Sequence, residues 1–355
     1  MKSDYHPRFL ARPPLTAGQF IFAASHLDHP HIYDQCRGLL AAGASLAWVY
    51  DPSPERVAAF QNRFPQAKVA RSFDEILGDS KVQLVTAAGI PSRRSEIGCQ
   101  VMSAGKDYLT DKPPFTTLAQ LTHAREVAAT TGRKYAIFFG DRLGVECAVH
   151  ASRLIQEGAL GRILHVIGLG PHRLSRPNRP TWFFERESYG GILCDLGSHQ
   201  CEKFLAFSGS TDAEVLHAAV GNRANPDTPE LEDYGEATLL GSSGATNHHR
   251  VDWLTPDGQS TWGDGRTFVL GTLGTIELRS FCDVGRGPKG ELLILVDSEG
   301  EHRIECAGRV GLPFYGDLLR DCLERTEHAQ TQAHAFKAAE LCLRTQAAAK
   351  WLPPL

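Results

Sequence analysis

Three residues of this chain have the types and spacing to move a proton and stabilise charge at one carbon. Two lie in Tyr189-Gly-Gly-Ile-Leu-Cys-Asp195-Leu-Gly-Ser-His199, which reads as a glycine-flanked turn running into a helix. Residues four apart on a helix share a face, so Asp195 and His199 would pair an imidazole with a carboxylate that fixes its tautomer and raises its basicity. Such a pair suits general acid–base work; the alternative is a polar helix face. The third is Lys112, in Asp111-Lys112-Pro113. Backbone before a proline is held extended, which favours aiming Lys112 into a crevice. An ammonium there stabilises a developing alkoxide, whereas the alternative is a salt bridge to Asp111.

The elements that must position these groups alternate regularly over the first 140 residues. Apolar runs at Gln19–Ala24, Ser45–Tyr50, Val82–Ala87, Tyr108–Thr110 and Lys134–Phe139 are separated by helical stretches. Helix starts are signposted by Ser53 before Pro54, by Ser72 three residues before Glu75, and by Thr117 before Gln120. Strands separated by helices imply parallel pairing through right-handed crossovers, hence an N-terminal doubly wound parallel (Rossmann) sheet.

After Phe139 the texture changes. A helix around Ala148–Ile155 and another after Asp195 accompany longer strand-like runs: Arg162–Leu169, Ala213–Val220, Glu236–Leu240, Ala245–Leu254, Phe268–Leu270, Thr275–Leu278, Leu292–Val296 and Glu301–Cys306. Turns such as Pro-Asp-Gly and Ser-Glu-Gly suit hairpins, so the expected C-terminal part is an open-faced, mostly antiparallel sheet with helices on one face. An Ala-rich helix over Ala333–Trp351 ends the chain. The expected organisation is an extension over 1–18, a nucleotide-binding domain over 19–140 and an α/β substrate-binding domain over 141–355. The uncovered sheet face predicts a homodimer or homotetramer.

Composition narrows the partners. The 355 residues carry a formal charge of −4 without a basic run, which argues against nucleic acid and anionic membrane. No run of about 18 apolar residues occurs, and Met1–Arg8 lacks the apolar core of a signal peptide. Nine scattered cysteines with no CxxC pair suggest reduced thiols and a cytoplasmic protein.

Ligands of doubly wound sheets bind beyond the carboxyl ends of the strands. The first strand should therefore deliver a glycine-rich phosphate turn, but this chain has Ala24-Ser-His-Leu-Asp-His-Pro-His31, and no glycine between Gly18 and Gly38. A helix N-terminus near His29–Ile32 would still offer N–H groups to a phosphate. The Gly168-Leu-Gly170 pair lies outside the nucleotide domain and is a decoy. His26, His29 and His31 invite a metal, but no Cys or Glu follows at a recognisable spacing, so no metal is expected. Asp51, ending the second strand, is placed to bind the adenosine ribose hydroxyls and repel a 2′-phosphate, which favours NAD over NADP; the alternative is a turn or cap aspartate.

Taken together, Ala104-Gly-Lys-Asp-Tyr-Leu-Thr-Asp111-Lys112-Pro113 and Gly190-Gly191…Asp195-x-x-x-His199 resemble the paired motifs of the glucose–fructose oxidoreductase / inositol dehydrogenase / rhizopine-catabolism (Gfo/Idh/MocA) family, with Asp111 where the family has Glu. Gly158-Ala-Leu-Gly161 and Gly271-Thr-Leu-Gly-Thr-Ile-Glu-Leu278 add to the likeness, and Leu27-Asp28-His29-x-His31-Ile32 resembles a variant nucleotide loop that puts His26 at the usual first glycine. The resemblance implies hydride transfer between a nicotinamide and a CH–OH group of a sugar, cyclitol or related polyol. Lys112, Asp195 and His199 would be catalytic. His26, Leu27, His31, Asp51, Ile90, Pro91, Asp111 and Lys112 would contact the cofactor, and Arg142, His172 and Trp182 the substrate. Two other outcomes stay open within the family: a redox-neutral lyase or glycosidase that retains its NAD, and a non-catalytic NAD-sensing regulator. Retention of Lys112, Asp195 and His199 together argues against the regulator.

Overall fold

The computed structural model describes residues 5–7, 15–16, 18–285 and 290–353. Most of the expected extension over 1–18 lies outside them. The chain divides into two compact units: one takes in Ala11–Phe138 with Pro313–Phe336, the other Phe139–Leu312 with Lys337–Leu355 and the chain's first residues.

In the first unit the order is β1 (Ile21–Ser25), α1 (His31–Ala41), β2 (Ser45–Tyr50), α2 (Pro54–Gln61), β3 (Lys68–Val69), α3 (Phe73–Gly78), β4 (Leu84–Ala87), α4 (Arg94–Ser103), β5 (Asp107–Asp111), α5 (Leu118–Thr131) and β6 (Tyr135–Phe138). All six strands are parallel in the order β3-β2-β1-β4-β5-β6, the doubly wound sheet expected. The two-residue β3 was too short to read from the sequence. β4 and β5 are buried at every position, as a sheet covered on both faces requires. The caps form as read: Ser53 accepts from the Arg56 N–H, Ser72 from the Glu75 N–H, and Thr117 and Gln120 close a capping box.

The second unit holds α6 (Gly140–Leu143), α7 (Glu146–Gln156), β7 (Ile163–Pro171), α8 (Arg186–Tyr189), α9 (Ile192–Asp195), α10 (Gly197–Ser208), β8 (Ala213–Gly221), β9 (Tyr234–Gly241), β10 (Thr246–Asp252), β11 (Arg266–Gly271), β12 (Gly274–Arg279), β13 (Leu292–Asp297) and β14 (Gly300–Glu305). After α11 (Phe314–Glu324), which belongs to the first unit, α12 (Gln332–Ala348) leads to β15 (Lys350–Trp351). The nine strands run β14-β13-β12-β11-β7-β10-β9-β8-β15, antiparallel except for β7 with β10 and β8 with β15. Trp351 thus ends in a strand, not in the terminal helix.

Asp195 and His199 do not share one helix. The sequence predicts a single run, but α9 stops at Asp195, and α10 starts at Gly197. The Ser198 hydroxyl donates to the Asp195 carbonyl at 2.6 Å, taking an acceptor that a continuous helix would use itself. The paired glycines before α9 are sterically required. Gly191 has φ +96°, and a Cβ there would lie 2.4 Å from Oε1 of Gln346. That same oxygen accepts from the Leu193 and Cys194 N–H groups, fastening the start of α9 to α12. Gly168 and Gly170 have a packing role: a Cβ on either would fall within 3 Å of the Gln200 side chain, so their absence seats α10 on β7.

Gly191→Ala should cost about 1–3 kcal/mol, combining left-handed strain with the Gln346 clash. Urea unfolding measures it; a stability within error of the parent protein would contradict this account of the turn.

Candidate active site

The first unit gathers its candidate residues around the loops after β1, β4 and β5. His26 has φ +49°, the left-handed conformation that a glycine would ordinarily supply, and so makes the tight turn without one. Its carbonyl accepts from the Ala88 N–H, and the His29 N–H donates to the Ala88 carbonyl, which ties this loop to the end of β4. Burial, with Arg56 and Arg93 adding to it against Asp51, lowers the His26 pKa to about 4. Across from it Gly89 allows close approach: a Cβ there would be 2.9 Å from Ile97 and 3.4 Å from His26.

Asp51 is engaged within the chain. It accepts from the Leu27 N–H at 2.6 Å, the Ser53 N–H at 2.7 Å and Arg56 Nε at 2.8 Å. Arg56 also lies 3.2 Å from Asp28. Asp51 is therefore at once a turn aspartate and the end of β2 beside the nucleotide loop.

Arg94 is the residue that sequence reasoning missed. It is almost wholly buried, donating from Nε to the Gly89 carbonyl at 2.7 Å and from Nη1 to the Lys112 and Pro113 carbonyls at 2.6 and 3.1 Å. The Lys112–Pro113 peptide is cis. Ile90 and Pro91 lie on the segment that Arg94 holds, Pro91 opening a single 3₁₀ turn. The only sequence signal was two adjacent arginines, Arg93 and Arg94, opening a helix where positive charge opposes the dipole.

Asp111 ends β5. Burial pushes its carboxyl pKa up, but His31, Arg94 and His29 outweigh this and hold it well below the usual carboxylate range. His31 Nδ1 donates to Asp111 Oδ2 at 2.6 Å, which leaves Nε2 as the ring's other hydrogen-bonding nitrogen. His29 Nδ1 is 3.9 Å from the same oxygen and accepts from the His31 N–H at 3.3 Å. Donor atoms of His29, His31 and Asp111 lie within 4.8 Å of one another, a metal-like grouping whose third member is 80 residues away in sequence. Its field opposes a cation: Arg94 is 3.8 Å from the shared oxygen, and Lys112 acts on His29. Positive charge beside the first turn of α1 suits an anion instead.

In the second unit the carboxylate beside His199 is Asp141. His199 Nε2 lies 3.7 Å from Asp141 Oδ1, and Nδ1 faces the Asp141 N–H at 3.5 Å. Lys203, one turn further along α10 and buried, is 3.8 Å from Asp141 Oδ2 and donates to Thr267 at 3.0 Å. Asp195 is buried as well. Sequence spacing pointed to Asp195 as a partner of the histidine; Asp141, a carboxylate the structure adds at its ring, was invisible to it because nothing local links residues 58 apart.

The expected substrate residues separate. Arg142 is engaged within the chain: its guanidinium forms a fork with both oxygens of buried Glu202, Nε lying 2.8 and 2.9 Å from them, so it braces α6 against α10. His172 follows β7, with its ring 4.4 Å from Trp262 and 5.5 Å from Trp253. Trp182 sits half-buried in a 3₁₀ turn, its ring 6.0 Å from Phe183.

A doubly wound sheet in the order 3-2-1-4-5-6, with Lys112 at the carboxyl end of its fifth strand, defines a protein of the Rossmann dinucleotide-binding class. Residues 21–139 match the model of the oxidoreductase family with an NAD-binding Rossmann fold, and residues 148–277 match the GFO/IDH/MocA C-terminal domain. The solved structure of an oxidoreductase from Erwinia carotovora atroseptica is 46% identical, with a TM-score of 0.92, covering 94% of this chain and 100% of that one. The chain belongs to the GFO/IDH/MocA oxidoreductase family. D-xylose dehydrogenase of Paenarthrobacter nicotinovorans is 27% identical over 138 residues, 38% of this chain and 35% of that protein. The NADP(+) scyllo-inositol 2-dehydrogenase of Bacillus subtilis is 25% identical over 194 residues, 53% of each. These matches span between a third and about half of the curated relatives' lengths.

Because His26 is neutral when folded and titrates near its ordinary pKa when unfolded, the unfolded chain binds the extra proton between about pH 6.5 and 4. Its contribution to stability is therefore present above about 6.5 and lost as pH falls towards 4. His26→Asn, which tolerates positive φ, should flatten the acid limb of a stability–pH curve. An unchanged slope would contradict the burial of a neutral imidazole at this turn.

Proposed function

We propose that the protein is a nicotinamide-dependent dehydrogenase acting on a CH–OH group of a sugar, cyclitol or related polyol. The observation that carries this reading is Lys112, held at the carboxyl end of β5 by a buried arginine, in a chain whose second unit pairs a buried histidine with a carboxylate. The nucleotide loop fits a dinucleotide despite its missing glycines: His26 supplies the left-handed turn and Gly89 the close approach, while the first turn of α1, with His29 and His31, offers donors to a pyrophosphate. Leu27, Ile90, Pro91 and Asp111 shape the same crevice. When bound, the nicotinamide supplies the hydride acceptor or donor.

The chain's own residues do the rest. Lys112 donates to the substrate oxygen and stabilises alkoxide character. His199 takes the hydroxyl proton in oxidation and returns it in reduction. Asp141 stabilises the imidazolium that forms, with Lys203 beside its other oxygen. Asp195 orients a neighbouring substrate hydroxyl, with His172 and Trp182 as further contacts. Phe268, Leu270 and Val296 are exposed on the sheet face away from α10, which supports assembly as a homodimer or homotetramer through that face.

His199→Ala should lower turnover by roughly two to four orders of magnitude while leaving nicotinamide affinity nearly intact, as rates and cofactor titration together would show. Undiminished turnover would remove His199 from the mechanism. For cofactor choice, Asp51→Ala should weaken NAD more than NADP, because it removes a carboxylate beside the ribose site and frees Arg56. Equal losses for both cofactors would end the argument for NAD.

A further inference from the structure

Four arginines lie in the segment between β7 and α9, and three of them pair with a carboxylate within the chain. Arg173 donates to the carbonyls of Pro256, Asp257, Gln259 and Thr261. Arg176 pairs with Asp227 and Arg186 with Glu232. Arg179 is different. Its Nε donates to the Leu174 carbonyl at 2.8 Å, but no described residue accepts a hydrogen bond from either Nη group. Its guanidinium carbon lies 4.3 Å from the centre of the Phe183 ring and 4.9 Å from that of Trp253, both buried rings. The two rings, 5.1 Å apart and edge-to-face with each other, form an aromatic corner against one side of the guanidinium and leave its Nη donors unused by the protein.

Arg179 is half-buried, so its Nη donors, without an acceptor among the described residues, remain available to a ligand, and the aromatic contacts supply no hydrogen bond in its place. The fixed charge that acts on it is Asp195, at the end of α9 and four residues before His199. The planar donor edge is thus held within the field of Asp195, the carboxylate that closes α9 ahead of the helix carrying the proposed acid–base residue. We propose that Arg179 anchors a carboxylate on the polyol substrate, so that the enzyme acts on an acidic sugar of the aldonate or uronate type rather than on a neutral one. The inference rests on the polyol-dehydrogenase reading above. A carboxylate matches the two parallel donors of the fork and brings a single negative charge. A phosphate monoester brings nearly two, against the Asp195 carboxylate and without a second arginine in this segment that lacks a carboxylate partner.

The test is equilibrium binding to the cofactor-loaded protein, with turnover followed in parallel, for matched pairs: D-glucuronate and D-glucose, D-galacturonate and D-galactose, D-gluconate and D-glucitol. The acid of at least one pair should bind on the order of 10- to 100-fold tighter than its neutral partner. Arg179→Met, which keeps an apolar stem against the two rings, should erase that preference while leaving the neutral partner's affinity and the melting temperature nearly unchanged. The proposal is overturned if no acid binds better than its neutral partner, if the preference survives Arg179→Met, or if D-glucose 6-phosphate outcompetes every acid. Arg179-dependent acid binding without turnover of any sugar would uphold the anchor and instead refute the dehydrogenase reading.

Discussion

A positive charge buried at the start of α4 sets the geometry of the nucleotide unit. Withdrawing a guanidinium from water costs several kcal/mol unless its donors are bonded. Arg94 meets that condition by drawing together the Gly89 carbonyl after β4 and the Lys112 and Pro113 carbonyls after β5. Two loops that the sheet alone would leave independent are thereby fixed together. The charge also helps keep Asp111 ionised, and ionised Asp111 takes the proton-bearing nitrogen of His31, the first residue of α1. From one buried arginine follows the placement of Lys112, and with His31 it holds Asp111 ionised and so orients the histidine at the anion-binding end of α1.

The second unit reaches its precision by close approach. Gly168 and Gly170 let Gln200 press α10 onto β7, and Gly191 lets Gln346 bond the exposed N–H groups of α9. These contacts set the height of His199 over the sheet, where α6 brings Asp141 to its ring and Lys203 completes the charge pattern. The buried Arg142–Glu202 fork then resists any slide of α6 along α10.

Periodicity and capping chemistry made the fold legible: each long apolar run became a strand of the expected sheet, and Ser53, Ser72 and Thr117 started helices where read. One feature was misread for a definite reason. Asp195 and His199 have helical spacing, but spacing cannot see Ser198 diverting the Asp195 carbonyl and dividing the helix. The pairing of Arg142 with Glu202 was not legible, because Glu202 is 60 residues away and no local pattern announces it. Asp141 and Arg94 escaped for the same reason. The missing glycines looked like a weakened cofactor site because residue identity was taken for conformation; His26 shows that the left-handed turn survives without glycine.

The central claim is a net transfer of hydride between polyol and nicotinamide. It is tested most directly by loading the purified protein with oxidised nicotinamide cofactor and adding aldoses, sugar acids and inositols while monitoring both reduced cofactor and sugar products. The account predicts that reduced cofactor appears in one-to-one proportion with oxidised polyol, and that Lys112→Met abolishes both. Sugar products formed with no net change in the cofactor would contradict it and point to a redox-neutral lyase; no response to any polyol would contradict it outright.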